Sequence, residues 1–290
     1  MAIKAKIIGD SLNSSGCRLT TFELRYHRYI HSEVMTHRVF SRNAASSRAI
    51  PIEKMIEQVE EDPAIPVHWG KAQKGMGAEE ELTPQEQEEA LFEWLRARDS
   101  AVVHAKKMLK LGLAKQVVNR ILEPWVWMCT IVGSTEWDNF FHLRAEAAAM
   151  PEFQQLAFLM LDAMNASTPK ALTVGEWHLP YADEIGGNFN ALSIIEKVKV
   201  CTALCGRISY LNHGKDYPLE NSIQWAEERT NMAHWSVSEF TAEAMGDACF
   251  YGNYRGFSQY RYRFGNQNIT NDPRLKKYTV EDFHKLLQKR

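Results

Sequence analysis

Residues 35–51, MTHRVFSRNAASSRAIP, constrain this chain more than any other stretch. Arg38, Arg42 and Arg48, with His37, Asn43, Thr36 and the serines at 41, 46 and 47, crowd a segment that has no apolar period and ends in proline. Such a segment is poor core, because buried guanidinium groups without partners are expensive. It is also too rich in directed donors for a linker, and it reads as a loop built to hold an anion. Arginine forks grip a phosphate or a pyrimidine edge. Ser46 and Ser47 add hydroxyl donors, and consecutive loop amides can form an anion-binding nest. His37 can donate to a ligand carbonyl. The plain alternative is a solvated loop whose arginines pair with neighbouring helices.

What flanks the segment limits the fold. Residues 3–8 and 18–26 read as strands, the second partly alternating, with Leu19, Thr21 and Glu23 against Thr20, Phe22 and Leu24. YIHSEVMTHRVF then reads as a helix turning Ile30, Val34 and Met35 inward. After the loop, IPIEKMIEQVEED reads as a helix with Pro51 near its first turn and Ile52, Met55, Ile56 and Val59 on one face. Residues 62–82 read as a long loop of the kind that serves as a lid. Thr83, Pro84 and Glu86 announce a helix by N-cap, first-turn proline and capping box, with Gly112 as its stop. A further helix over about 114–122 ends before Pro124. WVWMCTIVG is a buried strand or helix start. Ser134 or Thr135 caps a helix over EWDNFFHLRAEAAAM, Pro151 opens the next, and helices follow near 193–212 and 219–231. The picture is α+β and helix-rich. It forms a single domain over 1–290 with a helical insertion at about 62–112.

Composition excludes some classes. A formal net charge of -2 in 290 residues argues against a general nucleic-acid binder. No apolar run approaches a membrane span, and the N-terminal residues lack a secretory pattern. The five cysteines fit reduced thiols in a cytoplasm, and the Cys201/Cys205 pair fits a buried apolar pair better than a metal site. There is no P-loop, no G-x-G-x-x-G and no G-x-S-x-G.

Three further places carry candidate chemistry. Arg144 sits in the aromatic helix of Trp137, Phe140 and Phe141. It needs a partner there, either Glu146 or Glu152 or an anionic ligand. Asn139 lies five positions before it and need not share its face. In AHWSVSEF, Ser236 and Glu239 have capping-box spacing after His234, and a helix start is also compatible with phosphate binding. In NYRGFSQYRYRF, basic and aromatic residues interleave. A packed edge or a pocket wall for one nucleotide fits this short run better than a nucleic-acid groove.

At these residues the sequence resembles a flavin-dependent thymidylate synthase. That family carries R-H-R-x-x-S-x-N-E-x-S-x-R, and THRVFSRNAASSR, Thr36 to Arg48, matches its His, second Arg, both Ser, Asn and final Arg. NRILEP, TEWDNFFHLRAEAAAMPEF, RISYL and AHWSVSEF resemble other elements of the family. The last two follow the motif here but precede it in the familiar enzymes, so the chain resembles a permuted relative. Thr36 and Ala44 stand where the motif has Arg and Glu, Ala148 where the helix has His, and Ala49 where Tyr often follows.

The resemblance implies a small mixed or antiparallel sheet within the helical fold, and an FAD enzyme that methylates dUMP at C5. Methylenetetrahydrofolate would supply the carbon and NADPH the reducing equivalents. It implies that His37, Arg38, Asn43, Asn139, His234, Ser236 and Glu239 hold FAD. Ser46, Ser47, Arg48, Arg120 and Arg144 would bind dUMP, with Arg144 and Ser46 catalytic, no metal, no stable nucleic-acid partner and a homotetrameric assembly. Hydroxymethylation, dCMP as substrate, and a non-catalytic nucleotide-binding relative are the alternatives.

Overall fold

The hairpin of β1 (Lys4–Asn13) and β2 (Arg18–His27) turns at Gly16, whose φ of 80° suits a residue without a Cβ. This is a computed structural model, and it describes residues 2–74, 78–208, 218–232 and 234–264. The expected end of the helix near 212, the close of RISYL, Ala233 and the chain beyond 264 lie outside those residues. After β2 the chain makes a 3₁₀ turn and a single helical turn, α1 (His31–Val34). The longer helix expected through residue 40 does not form. Thr36 Oγ1 instead donates to the Glu33 carbonyl (2.6 Å), a local bond that competes with helix continuation.

Part of the arginine-rich segment is a strand rather than a loop. β3 (Ser41–Ala44) pairs with β4 (Trp127–Ser134), Ser41 opposite Gly133 and Ala44 opposite Thr130. β5 (Lys170–Leu172) completes the main sheet in the order β3-β4-β2-β1-β5, antiparallel except for β1 with β5. The sheet is therefore mixed, and the α+β reading holds.

The alternation of β4 explains its apolar run. Met128 and Val132 enter a cluster with Phe22, Leu24, Phe140, Phe153 and Met160. Ile131 and Cys129 face the other way, toward Cys205, Ile208 and Phe240. Both faces are covered, so no polar face is needed. One cover is formed by α5 (Asp138–Arg144) and α6 (Pro151–Ala166). The other includes α7 (Ile194–Arg207).

A separate apolar cluster joins α2 (Ile52–Glu61), α3 (Pro84–Lys110), α4 (Lys115–Val118) and the 3₁₀ segment Asn119–Trp125. Pro124 lies inside that 3₁₀ segment, where the sequence placed the end of a helix ahead of it. The capping box of α3 forms as expected, with Thr83 Oγ1 accepting from Glu86 N and the Glu86 carboxylate accepting from Thr83 N (2.8 Å). Thr83→Ala is expected to cost about 1 kcal/mol of stability. An unchanged urea midpoint would count against that cap.

The remaining pieces are β6 (Trp177–His178), α8 (Leu219–Asn231), β7 (Ala242–Ala244), the short hairpin β8 (Phe250–Tyr251) with β9 (Tyr254–Arg255), and β10 (Phe257–Gln259). β7 pairs with both β6 and β10. The capping box expected at Ser236 and Glu239 does not form. Residues 235–239 are a 3₁₀ turn preceded by His234, with no side-chain cap. That turn packs against β3, which carries the C-terminal third of the chain onto the arginine-rich segment. Among the described residues no helix is long and apolar enough to cross a membrane, and no cluster of His, Cys, Asp and Glu could hold a metal ion.

Candidate active site

Arg144 is the last residue of α5, where the backbone leaves the helix at Ala145 (φ -85°, ψ 48°). Its side chain turns back toward the start of the arginine-rich segment. Nε donates to His37 Nε2 at 3.0 Å, and Nη1 lies 3.8 Å from the Glu33 carboxylate. The guanidinium carbon stands 4.6 Å over the ring of Phe153. These partners differ from the expected Glu146 or Glu152. The Glu152 carboxylate instead accepts from Tyr29 Oη (2.9 Å) and the Val67 amide (3.1 Å).

His37 sits in an aromatic box of Phe40, Phe140 and Phe153, with ring centroids at 5.6, 5.0 and 6.0 Å. Burial, then the positive charges of Arg144 and Arg42, lower its pKa to about 4. It is therefore neutral near pH 7 and accepts a hydrogen bond through Nε2. That contact places the ring beneath Arg144 and leaves the proton on Nδ1. Arg42, expected to grip an anion, caps the backbone by donating to the carbonyls of Met35 (2.7 Å) and His37 (3.0 Å).

Arg144 lines an open cleft of about 1670 Å³, walled also by Arg28, Tyr29, Trp94, Arg120 and Glu123. Its volume exceeds the roughly 300–1,000 Å³ of a usual small-molecule site, so it has room for more than one ligand. Arg120 and Arg28 converge on one carboxylate, Glu123, at 2.6 and 3.5 Å. An anion is thus already held between two guanidinium groups. Part of the long 62–82 loop, including His68 and Lys74, forms one rim.

The other expected ligands fall in different places. Ser46, Ser47 and Arg48 lie on a turn in which Ser46 O accepts from Ala49 N (2.9 Å). Asn119, the sequence neighbour of Arg120, anchors that turn by donating to Ser47 O (2.8 Å), and none of Ser46, Ser47 and Arg48 lines the cleft. Asn43 donates to the Cys205 carbonyl (2.9 Å). Glu239 binds Ser41 and Arg261, and burial raises its pKa although Arg261, Ser41 and Arg42 oppose the shift. Gln259 ties the same strand in by donating to Ser41 Oγ (2.8 Å) and Glu239 O (2.9 Å). Arg38, Asn139, His234 and Ser236 are exposed, and none of them lines the cleft.

A model of the thymidylate synthase complementing protein family matches residues 19–170, just over half of the chain. The chain belongs to that family. The family is in general flavin-dependent. The matched residues contain the arginine-rich segment, Arg120 and Arg144. No curated protein matches the sequence.

Among solved structures, the UMP/dUMP methylase PolB from Streptomyces cacaoi bound with 5-Br dUMP is 15% identical over 51% of this chain and 66% of that one, slightly under two thirds of its length, with a TM-score of 0.42. The same methylase bound with 5-Br UMP is 14% identical over 56% and 88%, with a TM-score of 0.43.

The structure shows where three departures from the motif lie. Thr36 closes the turn after α1, and Ala44 is a β3 residue opposite Thr130. Ala148 lines the cleft near Arg144. Arg28, Glu123 and Asn119 escaped the sequence reading. Arg28 lies just before the motif and is not one of its matched positions, Asn119 gains its meaning from Ser47 far along the chain, and Glu123 from Arg28 as well as from its neighbour Arg120.

Proposed function

We propose that this protein methylates C5 of a pyrimidine deoxynucleotide, dUMP in the leading reading, and that the base edge lies on Arg144. The observation that carries the proposal is a guanidinium oriented by His37, Glu33 and Phe153 at the wall of a cleft holding two more arginines. Attack from C5 needs electron density there. A fixed guanidinium at the base carbonyls stabilises the negative charge that this creates. Phosphate can take the place of the Glu123 carboxylate between the guanidinium groups of Arg28 and Arg120.

Cys129, Cys201 and Cys205 suit this chemistry only as bystanders. Burial pushes the Cys129 thiol up to about 11 and raises Cys201 and Cys205 further, so none supplies a thiolate near pH 7.

A flavin fits the donor chemistry of the chain and, when bound, supplies hydride. The cleft offers the indole and phenol of Trp94 and Tyr29 as apolar wall for its ring system. Arg38, Asn139, His234 and Ser236 are exposed on the chain. They would reach FAD in an assembly where copies share a site, in keeping with a homo-oligomer, a tetramer in the leading reading. NADPH and methylenetetrahydrofolate complete the proposed reaction. A cytosine nucleotide is the second reading, because the Glu33 carboxylate beside Arg144 is the acceptor that a 4-amino group requires.

One assay separates these. The protein is incubated with FAD, NADPH, methylenetetrahydrofolate and either dUMP or dCMP, and the nucleotide is weighed. A gain of one CH₂ on dUMP is expected. Extra oxygen in the product, or conversion of dCMP alone, would replace the leading reading, and unchanged nucleotides in both arms would reject the proposal.

A further inference from the structure

We infer that His37 is a positioning residue for Arg144: it fixes the guanidinium through an acceptor bond at Nε and so directs the two terminal nitrogens at the substrate base. The inference rests on the reading of Arg144 as a nucleotide ligand, and it assigns His37 a place under that ligand.

The geometry is specific. A guanidinium has five N–H donors, one at Nε and four on the terminal nitrogens. His37 Nε2 takes the Nε donor at 3.0 Å. Glu33 is at ion-pair distance, 3.8 Å, from Nη1 on the cleft side, so the terminal nitrogens are drawn toward the cleft. Phe153 lies flat enough under the group to place the guanidinium carbon 4.6 Å from its ring centre. The plane, direction and hydrogen-bonding edge of Arg144 are thus set by three different elements.

The histidine is itself held. Phe40, Phe140 and Phe153 surround its ring, and Arg42 ties down its backbone carbonyl at 3.0 Å. An acceptor at Nε2 requires the proton on Nδ1, so only the neutral ring performs this task. The charged groups facing it are Arg144 and Arg42, and both favour the neutral form. A lysine in place of Arg144 would lack the Nε donor, so the pair explains why an arginine is required here in terms beyond charge.

Three variants of the full chain and one double variant test this, with dUMP titrated calorimetrically into protein saturated with FAD, and melting followed for each. His37→Phe keeps an aromatic ring in an aromatic box and removes the acceptor. It is expected to weaken dUMP binding roughly tenfold, the usual weight of a hydrogen bond to a charged group. His37→Gln offers a carbonyl oxygen near the position of Nε2 and is expected to recover most of the affinity. Arg144→Gln is expected to weaken binding roughly a hundredfold while leaving it measurable at high dUMP concentration. Adding His37→Phe to it should cost nothing more, because the two residues act as one unit. Equal losses in the Phe and Gln variants, a further tenfold loss in the double variant, or wild-type binding by His37→Phe while Arg144→Gln binds weakly, would overturn the inference alone. Wild-type binding by Arg144→Gln would overturn the functional reading beneath it, and the inference with it.

Discussion

Arg144→Gln is expected to lower turnover of the pyrimidine substrate by roughly 10²–10³-fold, the cost of removing one preorganised donor from a developing negative charge. The loss should appear in kcat as well as in substrate affinity, because the proposed charge stabilisation grows as C5 attacks. The fold should survive. Arg144 sits on the cleft wall rather than inside a core cluster. Its loss leaves His37 Nε2 without its donor, at a cost of about 1–2 kcal/mol. A melting curve a few degrees below wild type with turnover nearly gone is therefore the expected pair of results. Arg120→Gln provides the contrast. It removes one of the two guanidinium groups on Glu123 and should raise KM while leaving kcat largely intact. If Arg144→Gln changed only KM, in step with Arg120→Gln, the guanidinium would be a binding group and its proposed role in the chemical step would fall.

Local chemistry was readable in the sequence where its partner is also local. The Thr83–Glu86 capping box, the apolar face of α2 and the span of α8 follow from spacings within one or two helical turns. The strand β3 was not readable. Ser41 to Ala44 carry no alternating apolar pattern, and they become a strand because β4 offers its edge. The Ser236–Glu239 spacing matched a capping box, yet the turn is 3₁₀ and the carboxylate is claimed by Arg261 and Ser41 instead. Tertiary pairing overrode a local preference in both places. The site shows the same division. Arg144 was singled out because an arginine among aromatic residues needs a partner. That partner is His37, which lies 107 residues away and was itself assigned to a ligand. A motif identifies residues that converge, and the direction each side chain takes is set by packing that the motif does not encode.

Acid should destabilise this protein well above the carboxylate range, and His178 is the main reason. The ring is fully enclosed between β1 and β2, its two nitrogens at 2.8 Å from Ser11 Oγ and 2.9 Å from Thr21 Oγ1. Gly9 makes room for it, since a Cβ there would come within 2.9 Å of the ring. Burial lowers the pKa of His178 to about 4, with Asp10 alone pulling the other way. In the unfolded chain the same histidine titrates near 6.5. A folded pKa below the unfolded one means that the unfolded state takes up the proton first. The stabilisation is complete above pH 6.5, falls as the pH drops, and is gone by about pH 4. For His178 it amounts to about 3 kcal/mol. Burial likewise holds His31 and His37 near 4, so their contributions have the same sign and the same window, and it lowers His27, whose contribution has the same sign. Urea unfolding between pH 7.5 and 4.5 should therefore show a steep loss of stability. His178→Gln removes one titrating ring. It should start lower at pH 7.5, because it cannot satisfy both hydroxyls in the same geometry, and then decline less steeply. If wild type and variant ran parallel across that range, the slope would belong to other groups, and the enclosed neutral imidazole between Ser11 and Thr21 would have to be given up.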